Sequence, residues 1–446
     1  MKQVLLSVLL TAAVAWPAGA QVAQPPPAAA LPLTLEEAIR RGLETSHRLE
    51  EAHAHVEAID AVADQRLAAT RPQVAAQAGY TRTNHVEAFG VVRPNNELVV
   101  IYPDVPDNYR TRLDAQWPLY DGGRRHWIER AARSEAVVAA GDGEAVRQDV
   151  RLEITRAYWT LVTASESRRV VDESLARMDA HLRDVRNQLD AGLIPPNDVM
   201  AVEAQRSRQR MLSIQARATQ EIAEAELGRF VGVPPGTGIQ PATAGDLVPD
   251  IPLSVESLVS EARKNRPEHG ALIERVLAAT ERERAAAAGL KPTIAAMGGV
   301  DYASPNPRIF PRQDAWRRSW DASVNLSWPV LDGGRTRAEI AEAAAATRAA
   351  RARLAEFETV LAVEVRQRFS ELEASRAAIA AAEDGVRAAT EARRVAGERF
   401  AAGVATSTDI LDAQVALLQA GLDRTQAVAN ARMADARLFR TIGARQ

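Results

Sequence analysis

Hydrophobic and polar residues alternate along several short segments of the chain. Between residues 320 and 328 every even-numbered position is apolar and every odd-numbered position is polar, and residues 109–119 show nearly the reverse arrangement. A period of two places successive side chains on opposite faces of a β-strand. Residues 74–82 and 294–303 are weaker candidates for the strands that pair with them. The pattern therefore predicts two β-hairpins, over residues 74–119 and 294–330.

Elsewhere the apolar residues recur at the spacing of long, mutually packed helices. Val365, Leu372, Ile379 and Val386 follow one another every seven residues, which is a coiled-coil spacing. The predicted elements of each half are a first helix (35–69 and 255–290), a hairpin, a long helix (124–189 and 335–400), a tip (190–198 and 401–409) and a return helix. We expect Thr34 and Glu37 to form a capping box. At 1.5 Å per residue the long helix measures about 100 Å, and the two shorter helices set end to end match it.

The two halves of the chain are tandem repeats. The sequence Trp-Pro-Leu-Tyr-Asp-Gly-Gly-Arg at 117–124 recurs as Trp-Pro-Val-Leu-Asp-Gly-Gly-Arg at 328–335, 211 residues later. Earlier in each half the matching residues are 220 apart, as for Pro72 and Pro292. Length differences belong in surface loops, so a free loop is expected at 83–108. The predicted organisation is a first repeat over 33–232, a linker or equatorial region over 233–252 and a second repeat over 253–446.

The strands favour a membrane protein over a plain coiled-coil rod. Segments of about ten residues suit a tilted strand that spans a bilayer. Trp117, Trp320 and Trp328 stand at the ends of apolar stripes, where the aromatic girdles of membrane barrels lie. The alternative is a soluble sheet with one buried face. Lipid forbids exposed strand edges and four strands cannot close a barrel, so several copies must share one. Three copies would give twelve strands and leave a lumen.

The first residues of the chain have the pattern of a secretory signal. Lys2 provides a positive charge, residues 4–14 are an apolar run too short to span a bilayer, and Ala18 and Ala20 are the small residues of a cleavage site. We expect a signal peptide over residues 1–20, cleaved after Ala20, with an uncleaved anchor helix as the alternative. A Pro-rich tail is expected over residues 21–32.

Composition excludes several classes of site. The chain contains no cysteine, so disulfides, thiolate metal sites and the lipid anchor of a lipoprotein are excluded. The formal net charge of −3 is spread over mixed acids and bases, which argues against a nucleic-acid partner. His47, His53 and His55 are interpreted as solvated surface residues rather than a metal site. No catalytic constellation or nucleotide loop stands out, so we predict no enzyme activity, no cofactor and no metal.

Several motifs together resemble the TolC-type outer-membrane efflux proteins, also called outer membrane factors. They are the Leu-Thr-Leu-Glu-Glu-Ala start at 33–38, the repeated Asp-Gly-Gly-Arg turns and the Ala-Gly-x-x-x-x-x-Asp tips. The resemblance covers nearly all of the mature chain. It implies a mainly α-helical trimer with a membrane β-barrel in the outer membrane and a helical tunnel that extends into the periplasm.

The resemblance also implies a function and partners. The chain would be the outer-membrane channel of a tripartite efflux or type I secretion system and would conduct substrate passively. Its partners would be a periplasmic adaptor (a membrane fusion protein) and an inner-membrane pump of the resistance-nodulation-division, ABC or major-facilitator type. The alternative is a periplasmic coiled-coil scaffold without a pore.

The resemblance places a periplasmic gate just after the tips. Aspartates in this region narrow the periplasmic entrance of family members, and Asp409 and Asp412 match that pattern, with Asp198 as the equivalent in the first repeat. Like charges gathered around one axis raise one another's pKa and repel anions. The alternative is that these acids simply favour a helix N-terminus. Phe400 and Ala405 replace the tyrosine and arginine that help to lock the gate in well-known members, so the bonds of that lock are not expected here.

The tips themselves are expected to meet the adaptor. Gly192-Leu193 and Gly403-Val404 resemble the turns of the family that contact the hairpin tips of the adaptor. Glycine permits the turn geometry, and the apolar residue that follows offers a contact. A purely structural turn is the alternative.

Overall fold

The structure, a computed structural model, describes residues 31–234, 236–242 and 254–444. The predicted signal peptide, the cleavage site after Ala20, most of the Pro-rich tail and part of the linker lie outside the described residues.

The described elements follow the predicted order. The first repeat comprises β1 (Leu31–Leu33), α1 (Leu35–Glu44), α2 (His47–Ala68), β2 (Gln73–Arg82), β3 (Phe89–Val92), β4 (Leu98–Tyr102), β5 (Asp107–Tyr120), α3 (Arg124–Asp190) and α4 (Pro196–Phe230), followed by β6 (Ile239–Pro241). The second repeat comprises α5 (Val255–Asn265), α6 (Pro267–Ala287), a 3-10 turn (Ala288–Leu290), β7 (Thr293–Ser304), β8 (Arg317–Ser327), α7 (Arg335–Ala401) and α8 (Ser407–Ile442).

The long helices α3 and α7 begin at the predicted residues and extend one residue beyond the predicted ends. Neither contains proline, and both are rich in alanine, the best helix former. Each starts directly after a repeated Asp-Gly-Gly turn. The Asp121 carboxylate accepts the N–H of Gly123 (3.1 Å), and the Asp332 carboxylate accepts the N–H of Gly334 (3.0 Å). The motif is therefore a tight turn into a helix.

The prediction of one unbroken first helix per repeat is wrong. In the second repeat Pro267 begins α6, since proline lacks a backbone N–H and is tolerated in the first turn of a helix but not in its interior. In the first repeat the chain breaks between α1 and α2, at Thr45 and Ser46. The Thr45 hydroxyl donates to the Phe230 carbonyl at the end of α4, 3.1 Å away. This contact fixes the break against the return helix.

Four long strands form one antiparallel sheet in the order β2, β5, β7, β8. Each repeat contributes one hairpin, and the pairing of β5 with β7 joins the two hairpins, with Leu113 opposite Val300. The edge strands β2 and β8 have no further strand partner within the described chain. Unpaired edges expose rows of N–H and C=O groups that can pair with another chain.

Two regions that the sequence predicts as irregular contain short strands. Within the predicted free loop at 83–108, β3 and β4 form an antiparallel hairpin with Val91 opposite Val99. The last residues of the predicted Pro-rich tail, Leu31 and Pro32, belong to β1, which pairs in parallel with β6. The predictions are wrong at these residues, because strands this short give too few alternating positions to recognise.

The buried core lies along the helices in three clusters. The first packs α1, α3 and α4 against β1 and β6, where the Tyr158 hydroxyl lies 3.3 Å from the carbonyl oxygens of both Leu33 and Ala242. The second joins α5, α7 and α8. The third lies near the tips and brings together α3, α4, α7 and α8. Among the described residues no helix combines the length and the apolar character needed to cross a membrane.

Candidate functional site

One face of the four-stranded sheet is apolar and exposed. Leu113, Val300 and Trp320 lie in register on neighbouring strands, and 75% of the Trp320 surface is exposed. Trp117 and Val324 lie on the same face in a second row, connected through β7, and both are exposed. Large exposed apolar surfaces mark contacts with another protein or with a membrane.

Aromatic side chains occupy both ends of this apolar face. At the loop end, the rings of Tyr80 and Tyr109 are 5.1 Å apart, and Trp316 lies 5.9 Å from Tyr109 and 4.9 Å from Tyr302. At the helix end, Trp328 directly follows β8, and its indole N–H donates to a carbonyl of the 3-10 turn at 3.1 Å. The predicted girdle residues thus lie on one exposed face, together with Trp316 and Tyr302, which the sequence analysis did not name.

The opposite face of the sheet carries a network of paired charges. Arg112 contacts three carboxylates, those of Asp114 (2.5 Å), Asp321 (3.0 Å) and Asp301. Arg110 also binds Asp301, at 2.7 Å, and Asp301 is almost fully buried by these contacts. The sequence shows these positions to be polar but does not show their pairing. The pairing depends on the register between strands of different repeats.

The two tips are built on the same backbone turn. Gly192 and Gly403 both adopt a φ of 73°, a left-handed conformation that glycine reaches without strain. The N–H of Leu193 donates to the Gln188 carbonyl at 2.8 Å, and the N–H of Val404 donates to the Arg399 carbonyl at 2.9 Å. These are helix C-terminal motifs that satisfy free carbonyls. Leu193 and Val404 project from the turns and are 74% and 64% exposed.

The three candidate gate aspartates have different surroundings. The Asp409 carboxylate accepts the N–H of Thr406 (2.8 Å), and the Asp409 N–H donates to the Thr406 hydroxyl (3.3 Å), which together form a capping box on α8. The hydrogen bond from the Thr406 backbone is the main reason why the pKa of Asp409 lies below its usual value. Asp412 is exposed one turn further along α8 and makes no hydrogen bond or ion pair to the described residues. Asp198 lies in the first turn of α4.

A buried histidine near the tips was missed by the sequence analysis. His181, on α3, is 6% exposed, and its Nε2 lies 3.2 Å from the Ser407 hydroxyl on α8. The Phe400 ring of α7 meets it edge-on, with centroids 5.6 Å apart. A signal was present in the sequence, because Ser174, Met178 and His181 follow the four-three spacing of a coiled-coil seam.

Comparison with known proteins identifies relatives of both repeats. A family model described as outer membrane efflux protein matches residues 38–233 and 258–444. Protein CyaE of Bordetella pertussis is 30% identical over 408 residues, which cover 90% of this chain and 81% of that protein. Outer membrane efflux protein BepC of Brucella suis is 28% identical over 312 residues, which cover 68% of this chain and 67% of that protein.

The fold is shared with a solved outer membrane protein. VceC of Vibrio cholerae superposes with a TM-score of 0.77 at 20% sequence identity, covering 92% of this chain and 96% of that chain. At this level of identity the comparison shows the common fold of long helices and a small sheet.

Proposed function

The chain belongs to the outer membrane efflux protein family, and from this premise we propose that it is the outer-membrane channel of a tripartite efflux or type I secretion system. Substrate passes through it passively, from a periplasmic adaptor and an inner-membrane pump to the exterior. The family consists of channel proteins of the outer membrane, so we assign no catalytic step to the chain.

The open sheet is the observation that carries the proposal. Its apolar face is exposed, and its edge strands β2 and β8 lack partners within the described chain. In lipid every backbone polar group needs a partner, so β8 of one copy pairs with β2 of the next. Two copies would give a barrel whose interior is filled by side chains, whereas three give twelve strands and a lumen. We therefore propose a homotrimer.

The dimensions of the apolar face support its contact with outer-membrane lipid. Trp320 and Trp328 are eight residues apart, which corresponds to about 27 Å along a strand and, at a tilt of about 40°, to about 20 Å across the bilayer. The apolar band of an outer-membrane barrel is about 25 Å tall and is bordered by aromatic girdles. Trp117 belongs to the same girdle system. The charged face around Arg112 then lines the lumen, where water solvates the charges that remain exposed.

The tips and the N-terminus complete the proposal. Leu193 and Val404 are exposed apolar residues on rigid turns, which suits contact with an adaptor. The gate aspartates Asp198, Asp409 and Asp412 lie just beyond these turns. We propose that the chain is exported with cleavage after Ala20 and carries no lipid anchor. The pump type and the exported substrate follow from the partner and not from this chain.

A periplasmic scaffold without a pore is the competing function. Long helices alone suit such a rod, but a rod in water would expose the apolar face of the sheet at a cost of about 25 cal/mol per Å². Lipid contact removes that cost. The exposed sheet therefore favours the channel.

The test measures assembly and conductance. The full mature chain, extracted from outer membranes in detergent, is expected to be a trimer by light scattering and to open stepwise conductances in planar lipid bilayers. A water-soluble monomer that forms no channel would refute the proposal.

A matched pair of variants tests which face meets lipid. Val324 and Asn325 are neighbours on opposite faces of β8. Val324→Asp should sharply reduce insertion, since a charge on the lipid face is destabilising, whereas Asn325→Asp should insert normally. Equal insertion of the two variants would contradict the assigned faces.

A further inference from the structure

His181 lies where the helical pairs of the two repeats meet near their tips. Met178, Leu182 and Val185 of α3 pack against Val199 of α4 and Leu411 of α8 in the third core cluster. His181 lies within this stretch of α3 and is turned toward the second repeat. Its imidazole contacts α8 through a hydrogen bond and α7 through a ring contact.

The hydrogen bond from His181 to Ser407 stands alone in its region. Residues 174–202 of the first repeat and residues 386–425 of the second are all described by the structure, and no other hydrogen bond joins these two ranges. Leu411 of α8 and Phe400 of α7 add apolar contacts across this junction. The directional connection between α3 and the second tip therefore depends on this pair, which we call the tip latch (His181 and Ser407).

Burying a histidine at this seam position lowers the stability of the fold unless its hydrogen bond offsets the lost hydration. A buried polar group loses its hydration, and a single hydrogen bond barely offsets that loss. Met178 and Val185 show that the same seam accepts apolar residues. An imidazole differs from them because water can replace its partner once the helices separate. The bond is thus strong enough to hold one arrangement and easy to exchange for water in another.

We propose that the tip latch holds the second-repeat tip against α3 of the first repeat and so keeps the periplasmic end of the channel closed. The inference rests on the proposed function. It assigns His181 as a positioning residue and Ser407 as its partner, with the Phe400 ring supporting the imidazole from the side. The chain lacks a tyrosine at 400 and an arginine at 405, and the tip latch provides a polar connection between the repeats without them.

The first test compares conductance of the full mature chain in planar bilayers. His181→Leu keeps the apolar packing and removes the hydrogen bond, and Ser407→Ala removes it from the other side. A neutral hydrogen bond of this kind corresponds to roughly a two- to tenfold change in the ratio of open to closed states. Both variants should raise mean conductance, and the double variant should add little to either one.

Two matched controls separate the latch from general effects of substitution. His47 is exposed on α2, so His47→Leu should leave conductance unchanged. Ser375 donates its hydroxyl to the Glu371 carbonyl of its own helix, at 2.7 Å, so Ser375→Ala should also leave it unchanged. Wild-type conductance in both latch variants would overturn the latch and leave the channel function standing. Absence of any conductance in the wild-type chain would overturn the channel function itself.

A second test does not depend on how the single variants fold. The chain has no cysteine, so His181→Cys with Ser407→Cys gives a single reactive pair per protomer. A short thiol-reactive crosslinker that a reductant can cleave should lower conductance, and the reductant should restore it. If mass spectrometry shows the crosslink and conductance does not fall, the tips do not need to separate at this point and the latch is refuted.

Discussion

The two tips reverse the chain with the same backbone turn and then start their return helices differently. Gly192 and Gly403 share a φ of 73° and an equivalent pattern of N–H donation. The first return helix begins at Pro196 without a side-chain cap, because Pro195 at the capping position has no side-chain acceptor. The second begins under a capping box formed by Thr406 and Asp409.

The difference between the tips suggests that docking and gating are carried by different residues. The turn and its projecting apolar residue are present twice, so docking is expected to use both tips alike. The second tip carries Ser407, which bonds across the repeats, and two candidate gate acids, Asp409 and Asp412, whereas the first tip carries one, Asp198. We therefore expect both tips to bind a partner and the second tip to carry most of the gating. Four experiments test this difference between the tips.

The largest effect is expected from placing charge on the docking residues. Leu193→Glu combined with Val404→Glu should abolish export, because neither carboxylate could be desolvated against an apolar partner, while the trimer stays intact. Export is measured by complementing a deletion strain and testing resistance to a panel of toxic compounds. The uncharged pair Leu193→Gln and Val404→Thr is the control and should retain partial export. Normal export with the charged pair would end the docking proposal, and an effect from one tip only would break the symmetry.

A smaller effect, on conductance, is expected from the gate acids. Asp409→Asn with Asp412→Asn should raise the conductance of the isolated trimer several-fold, because repulsion among like charges no longer limits anion passage. Asparagine can still accept the hydrogen bond from Thr406, so the cap is largely preserved. Asp198→Asn should change conductance less. An equal effect from Asp198 would contradict the assignment of gating to the second tip, and no effect from any of them would remove the acids from the gate.

The response to pH gives a third comparison, with a defined sign. Burial lowers the pKa of His181 below its usual value of about 6.5, and the charge of Asp184 on the same helix only partly opposes this shift. The neighbouring helices face His181 with Phe400 and Ser407, which do not titrate near neutrality. The latched arrangement thus binds a proton less readily than one with a hydrated imidazole.

Acidification should therefore open the channel. Above about pH 6.5 the imidazole is neutral in both arrangements and pH has little effect, but below that value proton uptake favours separation of the tips. Conductance recorded between pH 7.5 and 5.0 should rise a few-fold as pH falls, in planar bilayers under constant salt. His181→Leu should flatten this profile while His47→Leu keeps it. A profile that is unchanged in His181→Leu would show that other groups control the response.

The smallest effects are expected in stability. Gly192→Ala and Gly403→Ala should each cost about 1–2 kcal/mol, because both positions need a left-handed backbone, and the two costs should match. Thr406→Ala should cost about 1 kcal/mol through loss of the cap, whereas Pro195→Ala removes no cap and should cost less. Denaturant midpoints in detergent provide the measurement. Unequal glycine costs would show that the two turns are not equivalent.

The long helices could be predicted from the sequence because the same motifs occur in both repeats. The duplication fixes matching positions in both halves, and the long helices start at the predicted Arg124 and Arg335. Local chemistry was less accessible. The Thr34 hydroxyl accepts the N–H of Glu37 at 3.2 Å, but the Glu37 carboxylate binds Arg40 and Arg41 instead of completing the predicted capping box. The spacing of residues along the chain does not show which of several nearby donors will hydrogen-bond to a carboxylate.

The candidate site could also be predicted only in part from the sequence. Glycines at the tips carry a conformational signal, and Trp117, Trp320 and Trp328 carry a periodic one, so their places in the structure agree with the pattern. The charge network of Arg112 was not accessible, since it requires the register between β5 and β7. His181 was missed because a single polar residue in a seam looks like a local interruption until its partner on a helix more than 200 residues away is known.

The pairing of β1 with β6, beside the Tyr158 hydroxyl, limits the order in which the protein can fold. The hydroxyl lies between the carbonyls of Leu33 and Ala242, beside the parallel pair β1 and β6. A chain made from its N-terminus presents β1 about 200 residues before β6 exists. β1 must therefore wait unpaired through the synthesis of the whole first repeat, and a chaperone that binds extended chains has its longest opportunity at that segment.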